Sequence, residues 1–117
     1  MLQFINSYPA TVQVTIMWFT PPCDDGNWTK KGWWVIPTGH SAVAHGGDLE
    51  DINRFWCYFA SGWDGNSFWR GPIIRSVPLS AFEWCEWRGG TSSIEIGYKQ
   101  VDVGDSDDVI IEFKARS

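Results

Sequence analysis

Tryptophans beside short polar or cationic side chains, on turn-forming stretches, are the residues in this chain best suited to chemistry. Trp63-Asp64-Gly65-Asn66-Ser67 carries one, Trp69-Arg70 follows it, Asn27-Trp28 stands near Lys30, and Gly32 precedes Trp33-Trp34. A sugar offers an apolar C–H face ringed by hydroxyls. A site for it wants a flat ring to stack on, with carboxylate, amide or backbone groups alongside. Trp28, Trp33, Trp34, Trp63, Asp64, Asn66, Trp69 and Arg70 are therefore the candidate ligand-binding set. The function they point to is a non-enzymatic module that recognises a ligand, most plausibly a glycan, through surface tryptophans. The competing role for each ring is to plug an open end of a β-sandwich.

Other chemistry finds weaker support. His40 and His45, with Asp48, lack metal spacing: five residues apart on a strand, the two imidazoles point to opposite faces, and no third ligand is fixed. Asp102, Asp105, Asp107 and Asp108 surround Gly104, but the order of a calcium loop and its terminal Glu are missing. No metal and no cofactor are expected. Cys57 lies in an apolar run that disfavours a thiolate, and Cys85 lies between Trp84 and Glu86. Ser41 beside His40 is not a triad, no G-x-S-x-G elbow is present, and Glu83 with Glu86 is too slight for glycoside hydrolysis. The chain reads as a non-enzyme.

Composition sharpens this. Nine Trp, seven Phe and three Tyr in 117 residues exceed what the interior of one small domain absorbs, so some indoles should reach the surface. A net charge of −5 with scattered Lys and Arg argues against nucleic acid. Acidity also disfavours electrostatic attraction to a membrane surface, but leaves aromatic insertion into headgroups open. A membrane-active or toxin-like module is thus the rival reading, and a homo-oligomer with tryptophans at its interface is the third. Three cysteines outside any zinc spacing favour a reduced setting over one disulfide plus a free thiol. The opening residues show no basic-then-apolar leader, and no apolar run approaches the ~18 residues of a membrane span. The expectation is a soluble protein, cytoplasmic or released without a leader.

The elements that must position these residues are short strands. Residues 2–6 and 11–19 read as strands across a Pro9 turn. In the second, Val12, Val14, Ile16 and Trp18 alternate with Thr11, Gln13, Thr15 and Met17, which marks a core face. Residues 20–27, with Pro21-Pro22 and Asp25-Gly26, read as a loop. Trp28 to Ala44 reads as a hairpin around Pro37-Thr38-Gly39, with Trp33 and Trp34 on opposite faces. Residues 45–53 have room for one helical turn. Phe55 to Ala60 is a near-continuous apolar run, as in a strand covered on both sides. Residues 61–67 turn the chain into a short Phe68-Trp69 strand. Residues 73–87 are extended or include a helical turn, and residues 94–103 and 109–114 alternate as half-buried strands. The fold class is all-β, a single antiparallel β-sandwich or small barrel of about seven to eight strands spanning 1–117.

With these elements laid out, the order of motifs resembles a known pattern. It runs Phe4-x-Asn6, Thr11-Val12-x-Val14, Trp28, Gly32-Trp33-Trp34-x-Ile36-x-x-Gly39, Trp69-x-Gly71, Phe82-x-x-Cys85, Arg88-Gly89 and Gly97-Tyr98-Lys99-x-Val101-Asp102-x-Gly104. This is similar to a mainly bacterial uncharacterised family catalogued as domain of unknown function ten-thirty-six. The resemblance implies a compact β domain and brings no catalytic residue. Ile5 stands where the family has a Cys before the first Asn, and Ser41 stands near the position of another. The resemblance therefore implies that one cross-link is absent, and it leaves the pairing of the remaining cysteines open.

Overall fold

The computed structural model describes residues 1–23, 26–47, 55–86, 93–104 and 106–115. Within them the chain is all β: β1 (Leu2–Ser7), β2 (Val12–Cys23), β3 (Gly26–Ile36), β4 (Ser41–His45), β5 (Phe55–Gly62), β6 (Phe68–Trp69), β7 (Ile73–Pro78), β8 (Phe82–Cys85), β9 (Ser93–Asp102) and β10 (Val109–Lys114). These ten strands exceed the seven or eight expected, because Ile73–Pro78 and Phe82–Cys85 form two strands rather than a helical turn; residue 87 of that segment lies outside the described residues. Residues 48–53 of the expected helical turn lie outside the described residues.

Two sheets share the chain. A small one has the order β10-β1-β4, and a large one runs β7-β9-β5-β2-β3-β8, with β6 paired to β5. The pairing is not antiparallel throughout, since β1 and β10 run parallel. The alternation of β2 decides the layering. Val12, Val14 and Ile16 face the small sheet and pack with Phe4, Tyr58 and Phe113 in a sandwich core. The other face of the large sheet curls on itself into a nearly closed barrel around Met17, Cys57, Phe59, Val77, Phe82 and Tyr98. Both faces of β5 are thus covered from Trp56 on, which is why the run to Ala60 reads as continuously apolar, while Phe55 at its start is exposed. Trp34 packs in the sandwich core and Trp33 in the barrel, on opposite faces as expected.

Side chains close the gap between β7 and β8. Arg75 donates to Glu86 Oε2 at 2.6 Å, Lys30 Nζ donates to the Ser76 carbonyl at 2.5 Å, and Trp33 Nε1 donates to the Pro78 carbonyl at 2.9 Å. Inside the barrel Thr15 Oγ1 donates to the Lys31 carbonyl at 2.8 Å. Its single proton is spent there, so the 2.9 Å contact with Tyr98 has the Tyr98 hydroxyl as donor.

Two local expectations are corrected. Residues 20–23 are strand, not loop: the prolines sit where the β2–β3 ladder is interrupted between the Phe19↔Trp28 and Cys23↔Gly26 pairs, so no ladder bond is lost. Residues 28–44 are not a hairpin, because β4 pairs with β1 while β3 pairs with β2 and β8. The Pro37–Gly39 turn instead arches the chain from one sheet to the other. Asn6, fully buried, explains the arch. Its side-chain amide donates to the Ile36 and Ala10 carbonyls, each at 2.8 Å, and its backbone bonds Gly39 and His40. Gly39 takes the left-handed φ of 82° that the arch needs. Cys85 is disulfide-bonded and Cys57 is a free, buried thiol, so the expectation of fully reduced cysteines is overturned.

Candidate functional site

Indoles do reach the surface. Among the eight described tryptophans only Trp56 is buried; Trp63 is 62% exposed and the rest are half-buried. The local stretch from Trp63 to Arg70 builds the clearest concavity. β5 ends at Gly62, whose N–H bonds the Ser67 carbonyl at 2.9 Å, and Gly65 turns the chain with φ 74°. The short β6 then returns along β5, with Ala60 opposite Trp69.

The result is an open cleft of 760 Å³. Asn66, Ser67, Phe68, Trp69 and Arg70 form one wall. Tyr8 and Pro9, from the turn between β1 and β2, meet them across the cleft, with Lys99 of β9 and Ala115 completing it. Trp69 is braced from behind, its ring 4.8 Å from Phe113 and edge-on to Tyr8 at 5.4 Å. Such bracing fixes the ring plane before any ligand arrives.

A hydrogen-bond relay holds the turn. Ser67 Oγ donates to the Tyr8 hydroxyl at 2.8 Å, and that hydroxyl donates to Asp64 Oδ2 at 2.5 Å. Asp64 Oδ1 also accepts the Asn66 N–H at 3.0 Å. These bonds, the Tyr8 one foremost, hold the Asp64 carboxyl below its ordinary range. Tyr8→Phe is expected to cost about 1 kcal/mol in urea unfolding and to move the Asp64 titration upward by NMR. An unshifted Asp64 in that variant would show the relay to be idle.

The candidate set divides. Asn66, Trp69 and Arg70 share the cleft, and Asp64 acts beneath it through Tyr8. Trp63 stands exposed beside β2, its Nε1 donating to Gln13 Oε1 at 3.2 Å. Trp33, Trp34 and Trp28 lie elsewhere. Trp33 packs on Phe59 and Phe82 inside the barrel wall. Trp34 lies against the sandwich core, with Lys31 Nζ 6.0 Å from its ring centroid, and Trp28 packs edge-on to Phe19. Tyr8, Pro9 and Lys99 are contributors that sequence reasoning missed; only the Tyr8-Pro9 turn carried a local signal.

Nothing matches by comparison. No family model, no curated protein and no solved structure matches this chain. The resemblance to the uncharacterised bacterial family therefore rests on its short motifs alone. The remaining clusters are engaged separately. Among the described residues no three His, Cys, Asp or Glu gather where a metal could bind. Asp48 and Asp105 lie outside those residues. His45 lies tilted against Trp56, ring centroids 5.1 Å apart, and His40 is exposed. Exposed Glu83 faces Lys31 at 3.9 Å while buried Glu86 is bound to Arg75, so the two carboxylates do not face one gap. Burial pushes the Cys57 thiol up to about 11, away from nucleophilic use.

Proposed function

We propose that the chain is a non-enzymatic binding module that holds a glycan in the cleft between Tyr8-Pro9 and β6. The observation that carries this reading is the braced, half-exposed Trp69 ring with Asn66, Ser67, Arg70 and Lys99 around it in one concavity. Stacking on the indole and bonding to the flanking amide, hydroxyl and cationic groups matches the two-sided chemistry of a pyranose. The volume of 760 Å³ falls within the 300–1,000 Å³ usual for small-ligand sites.

A glycan array followed by titration of tryptophan fluorescence tests it. Binding is expected for at least one saccharide class, with affinity about tenfold weaker in Asn66→Ala through loss of hydrogen bonds that recognise one ring. Silence across the array removes the reading. Co-sedimentation with sugar-free vesicles would instead favour the membrane-inserting module, and a stable multimer in sedimentation velocity would favour an oligomer interface.

A further inference from the structure

The barrel is packed along most of its length but open at one end. Thr15, Met17, Cys57, Phe82 and Tyr98 fill the interior. Beyond them, where Gln13, Ser61 and Ile94 project, a cup of 600 Å³ opens to solvent. Phe59 and Ile96, only 7% and 6% exposed, belong to its deep part, with Trp33 beside them. Phe68, Ile74 and Ile94 stand around the lip at 43%, 52% and 40% exposure. Single exposed apolar side chains need no account, but three of them around one apolar concavity mark a binding surface.

The cup also has a cationic end. Arg70 lies on the ridge that it shares with the Trp69 cleft, its guanidinium 5.1 Å from the Phe68 ring centroid. Among the described residues it forms no ion pair with a carboxylate. A guanidinium resting on an aromatic ring presents its planar fork outward, in the geometry a carboxylate accepts. Gln13 and Ser61 add polar groups at the lining, joined by a 3.3 Å contact from Gln13 Nε2 to Ser61 Oγ, while Gln13 Oε1 accepts from Trp63. The opposing charge is Glu95, which also lines the cup. Glu95 also lines a small groove beside Arg75, whose guanidinium is paired with Glu86.

We propose that the barrel mouth is a second binding site, for a medium-chain aliphatic carboxylate whose chain lies in the cup and whose headgroup lies on Arg70. The site shares Phe68 and Arg70 with the Trp69 cleft but has its own floor of Trp33, Phe59 and Ile96, so a protein inert to every saccharide can still show it. Calorimetric titration with decanoate, and with decanol as its uncharged counterpart, tests it. The wild-type protein is expected to bind decanoate about tenfold more tightly than decanol, the worth of one charge-assisted contact. Arg70→Gln abolishes that preference while decanol still binds. Glu95→Gln tightens decanoate a few-fold. Ile74→Asp, at an exposed lip position that leaves folding intact by circular dichroism, removes binding of both. Absence of decanoate binding, equal affinity for the two compounds, or binding that survives Ile74→Asp overturns the proposal.

Discussion

Gly97→Ala is expected to lower stability by about 3 kcal/mol and to distort both concavities, the high end of what overpacking costs. A Cβ built at Gly97 would lie 2.2 Å from the Gly71 carbonyl oxygen, which is backbone and has nowhere to rotate. Gly71 is also closed to a side chain: a Cβ there would meet Lys99 Cα and the Tyr98 carbonyl oxygen, each at 2.7 Å. Here two backbones touch, joined by the Gly71 N–H to Gly97 carbonyl bond at 3.1 Å. Their shared crossing carries the chain from Arg70, at the ridge between the two concavities, into β7. The cause is space, since neither residue has a left-handed φ. Gly65→Ala is the informative control: its φ is 74° but no atom lies within 4 Å of the added Cβ. Its cost should be conformational alone, about 1 kcal/mol. Urea unfolding of both variants decides the matter, and equal losses would refute the backbone-contact account.

Stability is expected to rise from pH 8 to 9 and then level off and fall, with Lys30 responsible for the rise. Lys30 is fully buried in the barrel wall, its Nζ bound to the Ser76 carbonyl and 5.5 Å from the Trp84 ring centroid. Burial, and then the nearby Arg75 guanidinium, bring its pKa from 10.5 down to about 8, with Glu86 opposing. Between those values the unfolded chain keeps the proton and the folded chain has released it, so stability climbs with pH. The full separation corresponds to at most about 3 kcal/mol. Cys57 works the other way. Burial raises it from 9.0 to about 11, so the fold keeps a proton that the unfolded chain loses, and stability drops above pH 9. Tyr58 and Tyr98, both raised by burial, add to that fall from about pH 10. Lys30→Met keeps the volume and removes the charge, and should abolish the rise while leaving the fall. Urea midpoints across pH 8 to 10.5 separate the two profiles, and superimposable curves would absolve Lys30.

Patterns of period two were legible wherever both strand faces have a defined cover. Val12, Val14 and Ile16 read as core and are buried; Phe55–Ala60 read as doubly covered, and all but the exposed Phe55 is buried in the wall between the two interiors. Partner choice was not legible, because it is made by residues far away in the chain. The turn at Pro37–Gly39 is local, but its conversion from hairpin to arch is made by Asn6, some thirty residues earlier. The prolines at 21 and 22 misled for a related reason: whether a missing N–H matters depends on the opposite strand's register. The same distinction runs through the candidate site. Asn66, Trp69 and Arg70 are close in the chain and sit together, whereas Trp28, Trp33 and Trp34 went to other surfaces. An indole's neighbours along the chain tell nothing of which layer will cover it. Lys99 joined the cleft through the β5–β9 pairing, and Tyr8 and Pro9 came to it from the distant β1–β2 turn.

The two strands common to both interiors have an unusual exposure to error. In a sheet with one wet face, sliding a strand by one residue throws its apolar set into water, and solvent itself forbids the mistake. For the inner part of β2 a slide would merely exchange Val14 and Ile16 with Thr15 and Met17 between two buried interiors, Gln13 lying at the open barrel mouth. Oiliness then discriminates little between the right alignment and the wrong one. What tells them apart is polar: only the native alignment lets Thr15 join the Lys31 carbonyl to the Tyr98 hydroxyl. A single buried threonine thus serves as the proofreader of a strand that hydrophobicity alone cannot proofread.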